Sequence, residues 1–356
     1  MAVYTAIDDS EAYFQVQLYT GNGSANHAIT LGGDTAMQPD LVIIKNRDAT
    51  DEWQIFDAVR GATKVLTMEN AAEATDTDTL DSFTSDGFQV DADVKVNTNT
   101  EKYVAWCWKA NGTGSSNTTG SINTTATSAN TTSGFSIITY TGNGTSGATI
   151  GHGLGVAPTF IALKTRSMSG AAAENWRVYH DKNTSAPATD YLALNTTAAT
   201  ADDANAWNDT APSSTLITLG NGGASNQNTE TYVAYAFADV QGFSKFGSYT
   251  GNGSSSGPFC FCGFRPKLVI TKMSSGLANW VMKTDGVGDA DNPQTEFIYA
   301  SATAAEGDGS HMDFLSNGFK WRDAATNNNQ DGSTYVYIAF AEAPFVNSEG
   351  IPCNAR

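Results

Sequence analysis

Tyr19-Thr20-Gly21-Asn22-Gly23 is the stretch on which the fold prediction depends, because the chain repeats it as Tyr140-Thr141-Gly142-Asn143-Gly144 and as Tyr249-Thr250-Gly251-Asn252-Gly253. The first glycines of successive copies are about 120 and about 110 residues apart. Solenoid repeats are much shorter, at roughly 20 to 50 residues. The repeated unit is therefore a whole domain, and a row of similar domains is typical of proteins that bind or build.

Further blocks follow each triplet in the same order. An apolar run begins at a proline and ends on a lysine, at 39–45, 158–164 and 266–272. Short β-branched runs bounded by turn residues predict buried strands, and a proline at the first strand position costs no interior hydrogen bond. A tryptophan comes next in each copy, at Trp53, Trp176 and Trp280.

Each copy closes on a strand that begins Tyr-Val, at 103–108, 232–237 and 335–340. Taken at period two, one face of this strand is large and apolar and the other is smaller, which suits a strand inside a sandwich. The large face is formed by Val104, Trp106 and Trp108, by Val233, Tyr235 and Phe237, and by Val336, Ile338 and Phe340.

The blocks predict an all-β fold of three tandem antiparallel β-sandwich modules, of jelly-roll or concanavalin-like type. Residues 110–134 are rich in Thr, Asn, Ser and Gly, which predicts a linker or a long exposed loop. The predicted division is 1–18, an N-terminal docking segment; 19–109, module 1; 110–134, the linker or loop; 135–240, module 2; 241–345, module 3; and 346–356, a polar tail.

Charge and hydropathy limit the partners. The formal net charge is −18, from 19 basic and 37 acidic residues. An acidic surface repels phosphate, and we expect no nucleic-acid partner. The N-terminus lacks the basic and apolar regions of a secretory signal, and no apolar run reaches the roughly 18 residues of a membrane span. We therefore expect no membrane insertion.

Catalytic groups do not recur in the repeat. The four histidines, His27, His152, His180 and His311, lie at different places in their modules, and no paired carboxylates stand out. The four cysteines match neither a zinc site nor a disulfide scaffold and are expected to be buried small apolar groups. The chain is predicted not to be an enzyme and to use no cofactor.

Two repeated positions are binding candidates. The lysines lie at strand ends, where the alternatives are a side chain reaching to solvent or a contact to a neighbouring subunit or an acidic ligand. The tryptophans are candidates for sugar-stacking platforms, with core packing as the favoured alternative. The six candidates are Lys45, Lys164, Lys272, Trp53, Trp176 and Trp280.

An acidic, glycine-rich loop offers a third candidate site. Asp285, Asp289 and Asp291 place carboxylate oxygens close together in sequence, and calcium favours such ligands. The spacing does not match the EF-hand pattern, and a solvated acidic loop is the favoured alternative.

Together the blocks resemble virion structural proteins of marine tailed bacteriophages that are often labelled tail-fibre-like. The matching stretches are 4–9, 39–48, 56–64, 83–88, 103–109, 243–253 and 337–345. Module 1 is also similar to SPRY or concanavalin-like lectin sandwiches, through Ser85-Asp86-Gly87-Phe88 and the strand that begins at Tyr103.

The resemblance implies a virion protein, made in the host cytoplasm, with no catalysis. The leading expectation is a tail-associated fibre component that contacts the host receptor. Its partners would be other virion proteins and a host-surface glycan, and family analogy implies a homo-oligomer, most often a trimer. The alternatives are a capsid head decoration, cement or head-fibre protein, and a carbohydrate-binding, lectin-like adhesin. A depolymerase would need a carboxylate pair.

Overall fold

The computed structural model describes residues 5–167, 174–288 and 291–353, and nearly all their regular structure is strand. The helices found there are single turns: a 3-10 turn at Ser10–Ala12, and α1 (Val94–Asn97), α2 (Ala204–Trp207) and α3 (Thr326–Asn329). The predicted all-β, antiparallel sandwich class is confirmed. Within these residues no helix is long and apolar enough to cross a membrane.

The strands fall into three consecutive groups. The first group is β1 (Phe14–Thr20), β2 (His27–Thr30), β3 (Leu41–Asn46), β4 (Gln54–Asp57), β5 (Lys64–Val65), β6 (Ala74–Thr75), β7 (Leu80–Thr84), β8 (Gly87–Val90) and β9 (Lys102–Trp108). The second group is β10 (Ala126–Asn130), β11 (Phe135–Thr141), β12 (Ala148–Gly151), β13 (Phe160–Thr165), β14 (Arg177–His180), β15 (Asp190–Ala193), β16 (Ala201–Asp202), β17 (Leu216–Leu219) and β18 (Thr231–Phe237). The third group is β19 (Ser244–Thr250), β20 (Phe259–Phe261), β21 (Phe264–Met273), β22 (Val281–Thr284), β23 (Ile298–Tyr299), β24 (Met312–Leu315), β25 (Gly318–Trp321) and β26 (Thr334–Pro344).

One four-strand order recurs in the three main sheets: β1-β9-β3-β4, β11-β18-β13-β14 and β19-β26-β21-β22. In each sheet the closing strand lies between the strand before the Gly-Asn-Gly triplet and the strand of the apolar run, antiparallel to both. The second sheet continues to β10 at one edge and to β15 and β16 at the other. The division into tandem modules stays a prediction, and we keep the names modules 1, 2 and 3 for the stretches of chain.

A smaller sheet covers the smaller face of each main sheet and makes the sandwich. These outer sheets are β2-β8-β7, β12-β17 and β20-β25-β24. In module 1, Ile29 and Phe88 of the outer sheet share a buried cluster with Ala105 and Cys107 of β9. In module 2, Ile217 belongs to the cluster that also contains residues of β18.

The larger faces of the closing strands meet in one core that is shared by all three main sheets. Trp108, Phe237 and Phe340 occupy the same position in β9, β18 and β26. Their ring centroids are 6.2 Å (Trp108 to Phe237), 5.5 Å (Trp108 to Phe340) and 5.5 Å (Phe237 to Phe340) apart. The three sheets therefore surround an approximate threefold axis within one chain.

Two predicted boundaries are wrong. The division at residue 18 cuts through β1, because Phe14 to Thr20 pairs in one register with β9. The stretch 110–134 is not an exposed linker, since β10 pairs with β11 and Ile122 is only 8% exposed. Turn-rich composition cannot distinguish a solvated loop from an extended segment that packs on a sheet.

Candidate functional site

Each Gly-Asn-Gly turn is held by a buried asparagine before the closing strand, which ends a single-turn helix in modules 1 and 3 and lies in a turn in module 2. In module 1, Asn97 accepts a hydrogen bond at Oδ1 from the N–H of Asn22 (2.9 Å), and its Nδ2 donates to Oδ1 of Asn22 (3.2 Å). The same pairs form between Asn143 and Asn226 and between Asn252 and Asn329. The triplet is thus a structural turn.

Glycine is required at both ends of the triplet. A Cβ on Gly21 would overlap the carbonyl oxygen of Thr98, and the first glycines of the other two copies meet the same obstacle. Gly23 has a φ of +66°, which side chains with a Cβ rarely adopt. The asparagine lies six residues before the closing tyrosine in each module, a fixed spacing that could have identified it from the sequence.

The three candidate tryptophans connect the modules in a closed ring. Trp53 donates from Nε1 to the carbonyl of Ala302 in module 3 (2.9 Å), and Trp176 donates to Thr67 in module 1 (3.0 Å). Trp280 donates to Ala193 in module 2 (2.9 Å). Their exposure is 0%, 1% and 0%. The sugar-platform hypothesis is wrong for these residues, because no ring face is open to a ligand.

The candidate lysines are also buried, with 0% exposure for each. Lys45 donates to the carbonyls of Asn46 (2.8 Å) and Ala49 (2.9 Å) in its own module. Lys164 donates to the backbone carbonyl of Glu69 in module 1 (3.2 Å), and Lys272 donates to the backbone carbonyl of Thr197 in module 2 (3.3 Å). Burial lowers the pKa of each lysine to about 8. They do not reach solvent as strand-end lysines do, and an outside acidic ligand cannot reach them.

A backbone hydrogen bond repeats at every junction beside these side chains. The N–H of Glu73 donates to the carbonyl of Arg166 (2.8 Å), and the N–H of Glu306 donates to that of Arg47 (2.9 Å). At the third junction the N–H of Thr200 donates to the carbonyl of Ser274 (2.9 Å).

Bidentate ion pairs reinforce two of the three junctions. Arg166 pairs with Glu73 at 2.8 and 2.9 Å, and Arg47 pairs with Glu306 at 2.7 and 2.8 Å. Paired forks of this kind fix orientation as well as charge. The junctions therefore share one backbone geometry, with an added ion pair at two of them.

A buried polar network crosses the junction between modules 1 and 2. Arg60 donates from Nε to Oδ2 of Asp57, and the hydroxyl of Tyr235 donates to the same oxygen (2.7 Å). Although burial alone would lower the pKa of Arg60, the Asp57 carboxylate raises it above its usual value. Asp57 and Arg60 are three residues apart in module 1, but nothing local marked Tyr235 as their partner, because it reaches them only when the modules pack together.

The two calcium candidates within the described residues, Asp285 and Asp291, do not form a site. The carboxylate of Asp285 is bound by Arg265 and accepts a hydrogen bond from Nε2 of Gln294 (2.6 Å). Asp291 is exposed, and Asp289 lies outside the described residues. The calcium hypothesis is wrong for Asp285, because an arginine occupies the position a cation would take. No group of three or more His, Cys, Asp or Glu side chains able to hold a metal occurs in the described part of the chain.

The comparisons with known proteins identify the family and no function. A family model described as a domain of unknown function, DUF7483, matches residues 9–344. No curated protein and no solved structure matches the chain. The match spans all three main sheets and the junctions between them. The chain belongs to the DUF7483 family.

Proposed function

We propose that this chain is a non-enzymatic structural protein of a bacteriophage virion, associated with the tail and in contact with the host surface. One observation supports a building role above others. In every module the repeated Gly-Asn-Gly triplet forms a structural turn, and the repeated tryptophans Trp53, Trp176 and Trp280 bind across the junctions between modules. A chain whose repeated side chains bind its own modules to one another, and not a ligand, suits a rigid component of a particle.

The remainder of the proposal rests on the sequence resemblance to tail-fibre-like virion proteins. Its partners would be other tail proteins and a host-surface glycan, and its location would be the virion. The six repeated lysines and tryptophans are buried, and a glycan would therefore have to use other residues. A homotrimer belongs to this proposal by family analogy.

A head decoration protein is the second candidate, and the approximate threefold arrangement of Trp108, Phe237 and Phe340 favours it. A single copy with three similar sides fits a threefold position on a capsid lattice. In the tail proposal the threefold symmetry comes from three copies of the chain in a homotrimer, whereas in this alternative it comes from the three modules of one chain.

Labelling intact virions with a gold-conjugated antibody against the purified chain separates the two candidates. Label on the tail supports the leading proposal. Label confined to the capsid faces would transfer the assignment to the head. Particles without label, when disrupted virions also contain none of the chain, would remove both.

A further inference from the structure

The outer sheet of module 3 ends in a free edge strand with two exposed phenylalanines. Among the strands of the described residues β20 pairs with β25 alone, and Phe259 and Phe261 are 47% and 62% exposed. Cys260 between them is buried. An exposed apolar edge is a template for pairing with another chain, and natural proteins usually block such edges.

The register shows which backbone groups face outward. Cys262 donates from its N–H to the carbonyl of Asn317 (2.9 Å), and antiparallel hydrogen-bonded pairs alternate along a ladder. The N–H and C=O groups of Phe259 and Phe261 therefore point away from β25. The hydroxyl of Tyr337 donates to the carbonyl of Phe261 (3.4 Å), which leaves Phe259 as the main attachment point.

Module 2 shows what the equivalent edge accepts. β12 occupies the place of β20, and Ile150 faces Ile217 as Cys260 faces Phe319. The chain before β10 runs parallel to β12, with Ile122 bridged to Ile150. The N–H of Ile122 donates to the carbonyl of Thr149 (2.9 Å), at the position equivalent to Phe259.

The covering segment has a simple chemistry. Gly120 passes so close that a Cβ there would overlap the carbonyl oxygen of Thr149, and Ser121 exchanges hydrogen bonds with Thr149 at 2.8 and 2.9 Å. Ile122 is 8% exposed and joins the core of module 2. The edge thus takes an uncharged segment that makes one isolated parallel bridge, with small residues before a β-branched one.

Module 1 treats the same edge differently. Its strand β2 presents Ala28 and Thr30 to solvent, where module 3 presents Phe259 and Phe261. Small and polar side chains make a poor surface for an added strand, whereas an aromatic pair offers cross-strand contacts. A groove of about 460 Å³ opens at the Phe261 end of β20 and extends this surface.

We propose that β20 is a docking edge for an uncharged segment of a different protein chain, added parallel to β20 and bonded to the backbone of Phe259. Such strand addition takes its affinity from main-chain hydrogen bonds and its specificity from alternate side chains. A second copy of this chain is a poorer occupant, because its segment from Gly120 to Ile122 is already held on its own β12. The inference does not depend on a virion location.

The chain end allows a direct test. The N–H of Cys353 donates to the carbonyl of Phe345 (3.1 Å), and the N–H of Phe345 donates to that of Gly263 (3.3 Å), which places the C-terminal stretch beside the turn after β20. The full chain is extended with a flexible Gly/Ser linker and a second copy of residues 117–125. A segment tethered at millimolar effective concentration, with a Kd of about 0.1 mM, should slow amide exchange at Phe259 about tenfold.

Two matched variants separate docking from a general effect of the extension. Ile122→Asp in the added copy should abolish the slowing. Phe259→Ala with Phe261→Thr in β20, which imitates Ala28 and Thr30 at the edge of module 1, should reduce it while the Tm stays within a few degrees. Unchanged exchange at Phe259, or slowing that survives Ile122→Asp, overturns the proposal. Slowing in the unextended chain that grows with protein concentration overturns it also, in favour of a second copy.

Discussion

Replacing Trp176 with phenylalanine is the perturbation that isolates one junction of the ring. Trp176 is 1% exposed, stacks on Tyr235 with centroids 6.0 Å apart, and donates from Nε1 to the carbonyl of Thr67 in module 1 (3.0 Å). Phenylalanine keeps an aromatic ring but has no donor. A buried carbonyl left without its partner costs about 1 to 3 kcal/mol.

Module 2 itself contains a matched control. Trp207 is also 1% exposed, but it packs in the core of its own module, and its Nε1 has no hydrogen-bond partner in the part of the chain that the structure describes. Trp207→Phe therefore removes the same atoms without breaking a junction. We expect Trp176→Phe to lower the free energy of unfolding by about 1 to 3 kcal/mol more than Trp207→Phe does.

Urea unfolding followed by far-UV circular dichroism measures both variants against the parent chain. The comparison requires similar m values, because an altered m would indicate a changed native or denatured state. Losses of unfolding free energy that agree within about 0.5 kcal/mol would refute the reasoning, because the hydrogen bond from Trp176 to Thr67 would then contribute nothing measurable.

Three further predictions follow from the buried groups. Asn226→Ala should lower the free energy of unfolding by about 2 to 4 kcal/mol because it leaves several groups of the turn unpaired, while exposed Asn228→Ala should change it by less than about 0.5 kcal/mol in the same urea assay. Burial lowers the pKa of His180 to about 4. A histidine that is neutral in the folded chain but protonated in the unfolded chain lowers the free energy of unfolding as the pH falls from about 6.5 to 4. This loss of up to about 3 kcal/mol should be absent from the pH profile of His180→Gln, and identical profiles for the two proteins would contradict it. Ala162→Val extends into the apolar cavity of about 70 Å³ at the centre of the three modules and should leave the Tm unchanged or raised, whereas Ala236→Val in the separate core of module 2 should lower it through a cost of about 1 to 3 kcal/mol.

Strand positions could be predicted from local patterns because their signals lie within a few residues. The predicted closing strands at 103–108 and 232–237 lie within Lys102–Trp108 and Thr231–Phe237. The apolar run at 158–164 falls largely within Phe160–Thr165. Period-two alternation and turn residues suffice for this, since both are properties of a single strand.

The use of the repeated side chains could not be predicted from the same patterns. A closed ring of similar modules needs identical contacts at each junction, as a repeated ligand site would, and both place the same residue at the same position. Only packing distinguishes them, as for Trp280, which donates to the carbonyl of Ala193. The buried polar group of Asp57, Arg60 and Tyr235 has the same origin, because 175 residues separate Arg60 from Tyr235.

The docking edge of module 3 could also not be predicted from local sequence patterns. Phe259 and Phe261 flank a buried cysteine in a pattern that any half-buried strand shows. Their significance comes from comparison with the equivalent edge strands: β12 is covered by the segment that contains Ile122, and β2 exposes only small and polar side chains.

Differential scanning calorimetry of the full chain tests most directly whether the three sheets share one core. Because the larger faces of β9, β18 and β26 pack against one another, no sheet can unfold without exposing its neighbours. We expect a single transition whose calorimetric enthalpy equals the van't Hoff enthalpy. Two or three resolved transitions, each with the enthalpy of about 100 residues, would contradict the shared core and favour independent modules.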